Sequence, residues 1–173
     1  MVAQARLEQL DAGLTPVSDG WFVVNVQDAA WVTNEVLGSA CTFEGDGTPP
    51  FGEIGFTLGV LQPGKPSALY HREANQEDFL VLVGECLLLI EGEERRLRAW
   101  DFVHCPPETA HIFVGAGDGP CVIFMAGGRN GREANHIPAL GACPPPRRRR
   151  RDRDERAAGG ESALSEMAAG AAG

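Results

Sequence analysis

Apolar residues recur along this chain in short runs, without the three-to-four spacing that marks a long amphipathic helix. From Phe56 onward the runs FTLGVL, SALYH, DFLVLV, CLLLIE, ERRLRA, DFVHC, HIFV and CVIFMA follow one another, separated by Gly, Pro and polar patches such as QPGKP and REANQE. Six or more strands at such intervals predict an all-β sandwich or barrel. Gly84-Glu85 and Gly92 stand where tight antiparallel hairpins need a residue tolerant of positive φ. DFLVLV and CLLLI are continuous apolar runs, which predicts strands covered on both faces, with a second copy of the chain as one cover and hence a homodimer. Pro106-Pro107 ends one strand, because proline cannot donate to a ladder, and GAGDGP supplies the turn before the last strand.

The flanks read differently. Residues 1–14, with Leu7 and Leu10 three apart, predict a short helix that needs docking to persist. WFVVNV and WVTNEVL predict two strands on the outside or edge of the barrel, and CTFEGDGTPPFG a loop. After Gly127 the periodic apolar content falls away. Three regions follow: an N-terminal extension over 1–50 with a short helix and edge strands, a barrel over 51–128, and a low-complexity tail over 129–173 that is expected to be disordered.

Composition narrows the function classes. At 173 residues, with 22 Gly and 12 Pro, the chain suits one turn-rich β domain with appendages. Charge is uneven: residues 1–128 hold 18 acidic and 6 basic side chains, a net charge near −12, and residues 129–173 hold 6 acidic and 9 basic, near +3. An acidic core of that kind has no footprint for nucleic acid. Five cysteines, odd in number and without C-x-x-C spacing, predict reduced, mostly buried thiols. No leader-like or membrane-length apolar segment is present, which predicts a soluble cytoplasmic protein without a membrane partner.

The chemistry concentrates in four side chains. His71 and Glu73, two apart at a strand end, emerge on one face; Glu77 precedes DFLVLV, and His111 opens HIFV after the proline turn. Two imidazoles and two carboxylates can close a first-row transition-metal site. Two carboxylates sharing a barrel without a metal repel, so one takes up a proton at a raised pKa and the pair can act as a general base.

The stretch from about residue 51 to 126 resembles the cupin superfamily, whose two motifs are written G-x5-H-x-H-x3,4-E-x6-G and G-x5-P-x-G-x2-H-x3-N. Gly64, His71, Glu73, Glu77 and Gly84 stand for the first; Pro106 and His111 stand for the second. Glu73 occupies the place of the second histidine, six residues instead of five separate Gly64 from His71, and Trp100, Glu108 and Gly115 replace Gly, Gly and Asn. The resemblance implies a double-stranded β-helix (jelly-roll) cupin barrel with a divalent metal on His71, Glu73, Glu77 and His111. A carboxylate in place of a nitrogen donor favours Mn, Fe or Zn over copper. It also implies a small polar molecule bound or transformed in the barrel, with dioxygenase and isomerase among the family's reactions. The alternative is a non-catalytic small-molecule-binding or sensory cupin whose metal is structural or absent.

Other residues read blandly. His104 is expected to be a strand-face histidine and His136 a solvated one. Cys86 and Cys105, in apolar strand contexts, read as inert buried thiols. Tyr70 reads as packing, and Arg147–Arg151 as part of a solvated tail.

Overall fold

The computed structural model describes residues 1–45 and 51–129. The tail expectation for 129–173, apart from Arg129, lies outside the described residues, as do Cys143 and His136. Among the described residues the elements are all strands: β1 Leu7–Leu10, β2 Gly13–Pro16, β3 Val32–Asn34, β4 Gly38–Cys41, β5 Ile54–Leu61, β6 Glu77–Val83, β7 Glu85–Ile90, β8 Glu93–Arg98, β9 Phe102–Cys105, β10 His111–Ala116 and β11 Cys121–Gly128. No helix there is long and apolar enough to cross a membrane.

Two antiparallel sheets make the jelly roll: a six-stranded one in the order β3-β4-β5-β11-β6-β9 and a three-stranded one in the order β10-β7-β8. The segment between β5 and β6 runs along the free edge of β10, where Ser67 N donates to Phe113 O and Gly115 N to Lys65 O, but it forms only the isolated bridges Pro66↔Val114 and His71↔His111, so SALYH is a bridged loop and not a ladder strand. Between the sheets lies one core of Leu61, Phe79, Val81, Cys86, Leu88, Cys105, Phe113, Cys121 and Ile123. In β6 the alternation is clear: Phe79 and Val81 are buried between the sheets, while Leu80 and Leu82 are half-buried on the outer face.

Three local expectations are corrected. The helix expected in 1–14 is a hairpin, with β1 pairing β2 from Leu7↔Pro16 to Leu10↔Gly13. A fourteen-residue helix would have to meet its nucleation cost alone, whereas the hairpin docks: Leu14 N donates to Asp28 O at 2.7 Å and Ala30 N to Leu14 O at 3.0 Å. WFVVNV forms no strand; only Trp21 makes a bridge, to Gln4, while β3 is the short remnant of WVTNEVL.

The third correction concerns β6 and β7, which do not pair. β6 lies between β11 and β9, and β7 between β10 and β8. Gly84, at φ 74°, is the corner where the chain passes from one sheet to the other. A Cβ there would stand 2.4 Å from Pro120 O, so the corner admits glycine alone. The β7–β8 connection is the expected tight hairpin, closed by Glu91 and Gly92, both at positive φ, with Ile90 opposite Glu93.

Candidate metal centre

His71 and His111 come from opposite sides of the same bridge. His111 N donates to His71 O at 2.9 Å, and the rings stand 5.0 Å apart. Glu77 opens β6 in the facing sheet, level with Cys105 and Gly127. Ligand atoms of His71, Glu77 and His111 lie within 4.8 Å of one another, close enough to hold one ion. Glu73 borders this trio without joining it: Oε1 is 3.7 Å from His71 Nε2 and the side chain is a quarter exposed. Its position is set by the backbone, where Glu108 N donates to Glu73 O at 2.8 Å.

Both imidazoles are oriented by main-chain carbonyls. His71 Nδ1 lies 2.6 Å from Leu69 O and His111 Nδ1 lies 3.0 Å from Thr109 O. A carbonyl can only accept, so Nδ1 carries a proton in each ring, and in the neutral imidazole Nε2 is then the nitrogen whose lone pair faces the centre. His111 is buried beside Phe79 and Phe113, and that desolvation lowers its pKa and keeps it neutral.

Facing it, Glu77 Oε2 is buried without a hydrogen-bond partner, 3.4 Å from His111 Nε2. Burial, and secondarily the Glu73 charge, push the Glu77 carboxyl up to about 7. A lone pair therefore faces a carboxylate oxygen across a gap that only a proton or a cation makes favourable. The donor set, two imidazoles and a carboxylate, fits a divalent first-row metal.

Motif departures have structural consequences. Trp100 and Glu108, where the resemblance has glycine, adopt φ 74° and 67°, so the left-handed backbone persists although the side chain has changed. Such a conformation costs a non-glycine residue about 1 kcal/mol or more. Glu108→Gly, which keeps the bond to Glu73 O and removes an exposed side chain, is expected to raise stability by about 1 kcal/mol. Urea denaturation checks it, and an unchanged midpoint would show that no strain is stored there. Gly115 stands where the motif has asparagine because a Cβ at 115 would lie 2.3 Å from Gln62 O, in the loop that carries the extra residue.

Residues 57–127 match the family described as the Cupin domain. That segment is a cupin domain. Similar solved structures include the polyketide cyclase RemF from Streptomyces resistomycificus, with a TM-score of 0.57 at 14% identity over 71% of this chain and 87% of that one. A sugar phosphate isomerase of the cupin superfamily from Silicibacter pomeroyi gives a TM-score of 0.52 at 23% identity, covering 62% of this chain and 76% of that one. A protein from Acidithiobacillus ferrooxidans, provisionally named a sugar phosphate isomerase, is 30% identical over 44% of this chain with a TM-score of 0.43; the chain spans about half that protein's length, 51%. No curated protein matches the chain.

Outside the centre, His104 lies on β9 with its ring half-exposed and Nδ1 2.6 Å from Asp78 Oδ1, a pairing that lowers the Asp78 carboxyl pKa. Cys41, Cys86, Cys105 and Cys121 are free and buried. Burial and the neighbouring Glu77 push the Cys105 thiol up to about 11, as inert thiols require. Sequence reasoning missed Gly55, Gly127 and Arg129. Gly127 lies across from both Gly55 and Glu77, and a Cβ on it would stand 3.8 Å from Glu77 Oε1. The period-two series Met125, Gly127, Arg129 was the available signal, since it carries the inward face of β11 into the residue assigned to the tail.

Proposed function

We propose that the cupin domain holds a divalent metal, Mn, Fe or Zn, on His71, Glu77 and His111, and uses it to bind and isomerise a small polar molecule by proton transfer. The unpartnered Glu77 Oε2 facing His111 Nε2 supports this most directly. When bound, the metal supplies a Lewis acid that polarises an oxygen of the substrate. Leu69 O and Thr109 O hold the two imidazoles in the ligating tautomer. Phe79 and Phe113 exclude water behind His111. Glu73, at the border of the trio and partly open to solvent, is the residue placed to take a proton from a carbon beside the polarised oxygen.

The test is deuterium exchange. Metal-loaded protein in D2O is mixed with a panel of small hydroxy-ketones, aldoses and keto acids, and NMR reads incorporation next to the carbonyl. Glu73→Gln is expected to slow exchange by about 100-fold or more while keeping its metal. Equal exchange in wild type and Glu73→Gln, or none in wild type, would leave a binding cupin without this chemistry.

A further inference from the structure

Just beyond β11, Arg129 continues the ladder by donating its backbone N to Glu53 O at 2.8 Å. Its side chain turns back over Gly55: a Cβ on that glycine would lie 2.6 Å from Nη2 and 2.7 Å from Nε, so the guanidinium occupies the place of the missing side chain. Gly55, Gly127 and Glu77 are paired in one row across β5, β11 and β6. The alternation that buries Leu61 and Ile123 puts this row on the inward face. The Arg129 guanidinium thus sits at the barrel rim over Gly55, whose backbone is two interstrand spacings, or about 10 Å, from that of Glu77. Between them lies a floor made of Gly127, which carries no side chain.

The guanidinium is oriented but not used up. Nη2 ion-pairs with Glu44 Oε1 at 2.8 Å, and Nη1 donates to Phe51 O at 3.2 Å. Glu44 also accepts from Phe51 N at 3.3 Å, which ties the loop to the same rim. Two of five N–H donors are engaged by these contacts, and the Arg129 side chain is one third exposed. Residues 1–128 carry 18 acidic and 6 basic side chains, so a cation at this rim stands out against its surroundings.

We propose that Arg129 binds the oxyanion of a short-chain substrate whose other end, a hydroxyl or carbonyl oxygen, reaches the His71–Glu77–His111 centre across the Gly127 floor. The substrate class is then a small acid or phosphate ester carrying an oxygen-bearing carbon at the far end. The full scheme rests on the metal reading above; the anion site by itself does not. Glu44 is the internal competitor that holds the guanidinium in place until an oxyanion arrives.

Calorimetric titration of the metal-free full chain with inorganic phosphate, and separately with acetate, tests the anion site alone and shows which oxyanion it prefers. Arg129→Met is expected to weaken binding by about tenfold or more, Arg129→Lys to retain part of it, and Glu44→Gln to tighten it about threefold or more, as befits charge-assisted hydrogen bonds. Phosphate and acetate affinities equal in wild type and Arg129→Met, or undetectable in wild type and Glu44→Gln, overturn the proposal. A destabilised Arg129→Met with unchanged anion affinity does so too, leaving Arg129 as a loop clamp only. In the Mn2+-loaded chain, wild type is expected to prefer malate over lactate about tenfold, and Arg129→Met to erase that preference. A preference that survives in Arg129→Met overturns the bridging scheme. Expected anion behaviour with no Mn2+ uptake upholds the Arg129 site and removes the metal reading instead.

Discussion

His111→Ala purified without chelators is expected to contain almost no metal where wild type contains close to one ion per chain, with affinity reduced by more than about 100-fold. Loss of a carbonyl or carboxylate that merely orients a ligating histidine costs about 10–100-fold in metal affinity, and loss of the ligand itself exceeds that. His111 is also a packing residue, 2% exposed, with Phe79 and Phe113 against its ring. Removing it opens a cavity and leaves Glu77 Oε2 facing a void, so a loss of fold has to be told from a loss of site. His71→Ala makes that distinction, because its side chain is 14% exposed and lies on a bridged loop outside the core cluster. Elemental analysis with circular dichroism reads both variants. A folded His71→Ala that still carries a full complement of metal would end the assignment.

Glu77→Gln is expected to move stability and metal binding in opposite directions. In the metal-free protein the carboxyl is raised from 4.5 to about 7 by burial first and the Glu73 charge second. The folded state therefore prefers the protonated acid. Relative to the unfolded chain, stability is full below pH 4.5 and is lost as pH rises through about 7, by an amount on the order of 3 kcal/mol. Glutamine carries no charge, so chelator-treated Glu77→Gln should match wild type near pH 4.5, pull ahead as pH rises, and hold a constant lead above pH 7. His111, whose pKa is lowered by burial, contributes stability that is lost as pH falls below 6.5, but that contribution is common to both proteins and cancels in the difference. Metal does the reverse. It needs the carboxylate, so wild-type affinity should fall about tenfold per pH unit below 7, and Glu77→Gln should bind weakly at every pH. Denaturant titrations across pH, with and without Mn2+, check both halves. A Glu77→Gln protein less stable than wild type at pH 8 without metal would show that the carboxylate is satisfied in a way the geometry does not contain.

The two effects share one origin. A centre that has to grip a cation is built from groups whose mutual repulsion and desolvation the fold tolerates when the cation is absent, and the stability maximum is displaced accordingly.

Much of this was legible in the residues themselves. Turn-bounded apolar runs specify strands because a strand needs only a period-two face and a stop, both local properties, and the boundaries of β6, β7, β8 and β9 follow the runs closely. His71, Glu73, Glu77 and His111 stood out as candidates because ligand chemistry restricts side chains to a few types at motif spacing, and three of them, His71, Glu77 and His111, come together closely enough to hold an ion. Pairing was not local. DFLVLV and CLLLI are adjacent and look like a hairpin, yet the contact of Gly84 with Pro120 sends them into different sheets. The first fourteen residues have helical spacing and no helix, since docking against Asp28 and Ala30 offered hydrogen bonds that a lone helix could not match.

From sequence alone came the all-β class, the runs that became β5 to β11, and the expectation that two acids would compete for one proton. Only the tertiary structure decided that Glu73 stands beside the trio instead of in it, that carbonyls of Leu69 and Thr109 set both tautomers, and that Arg129 belongs to the barrel rim. The reason is physical: residue type and alternation are written locally, whereas distances of a few ångströms between side chains are set by how two twisted sheets face each other.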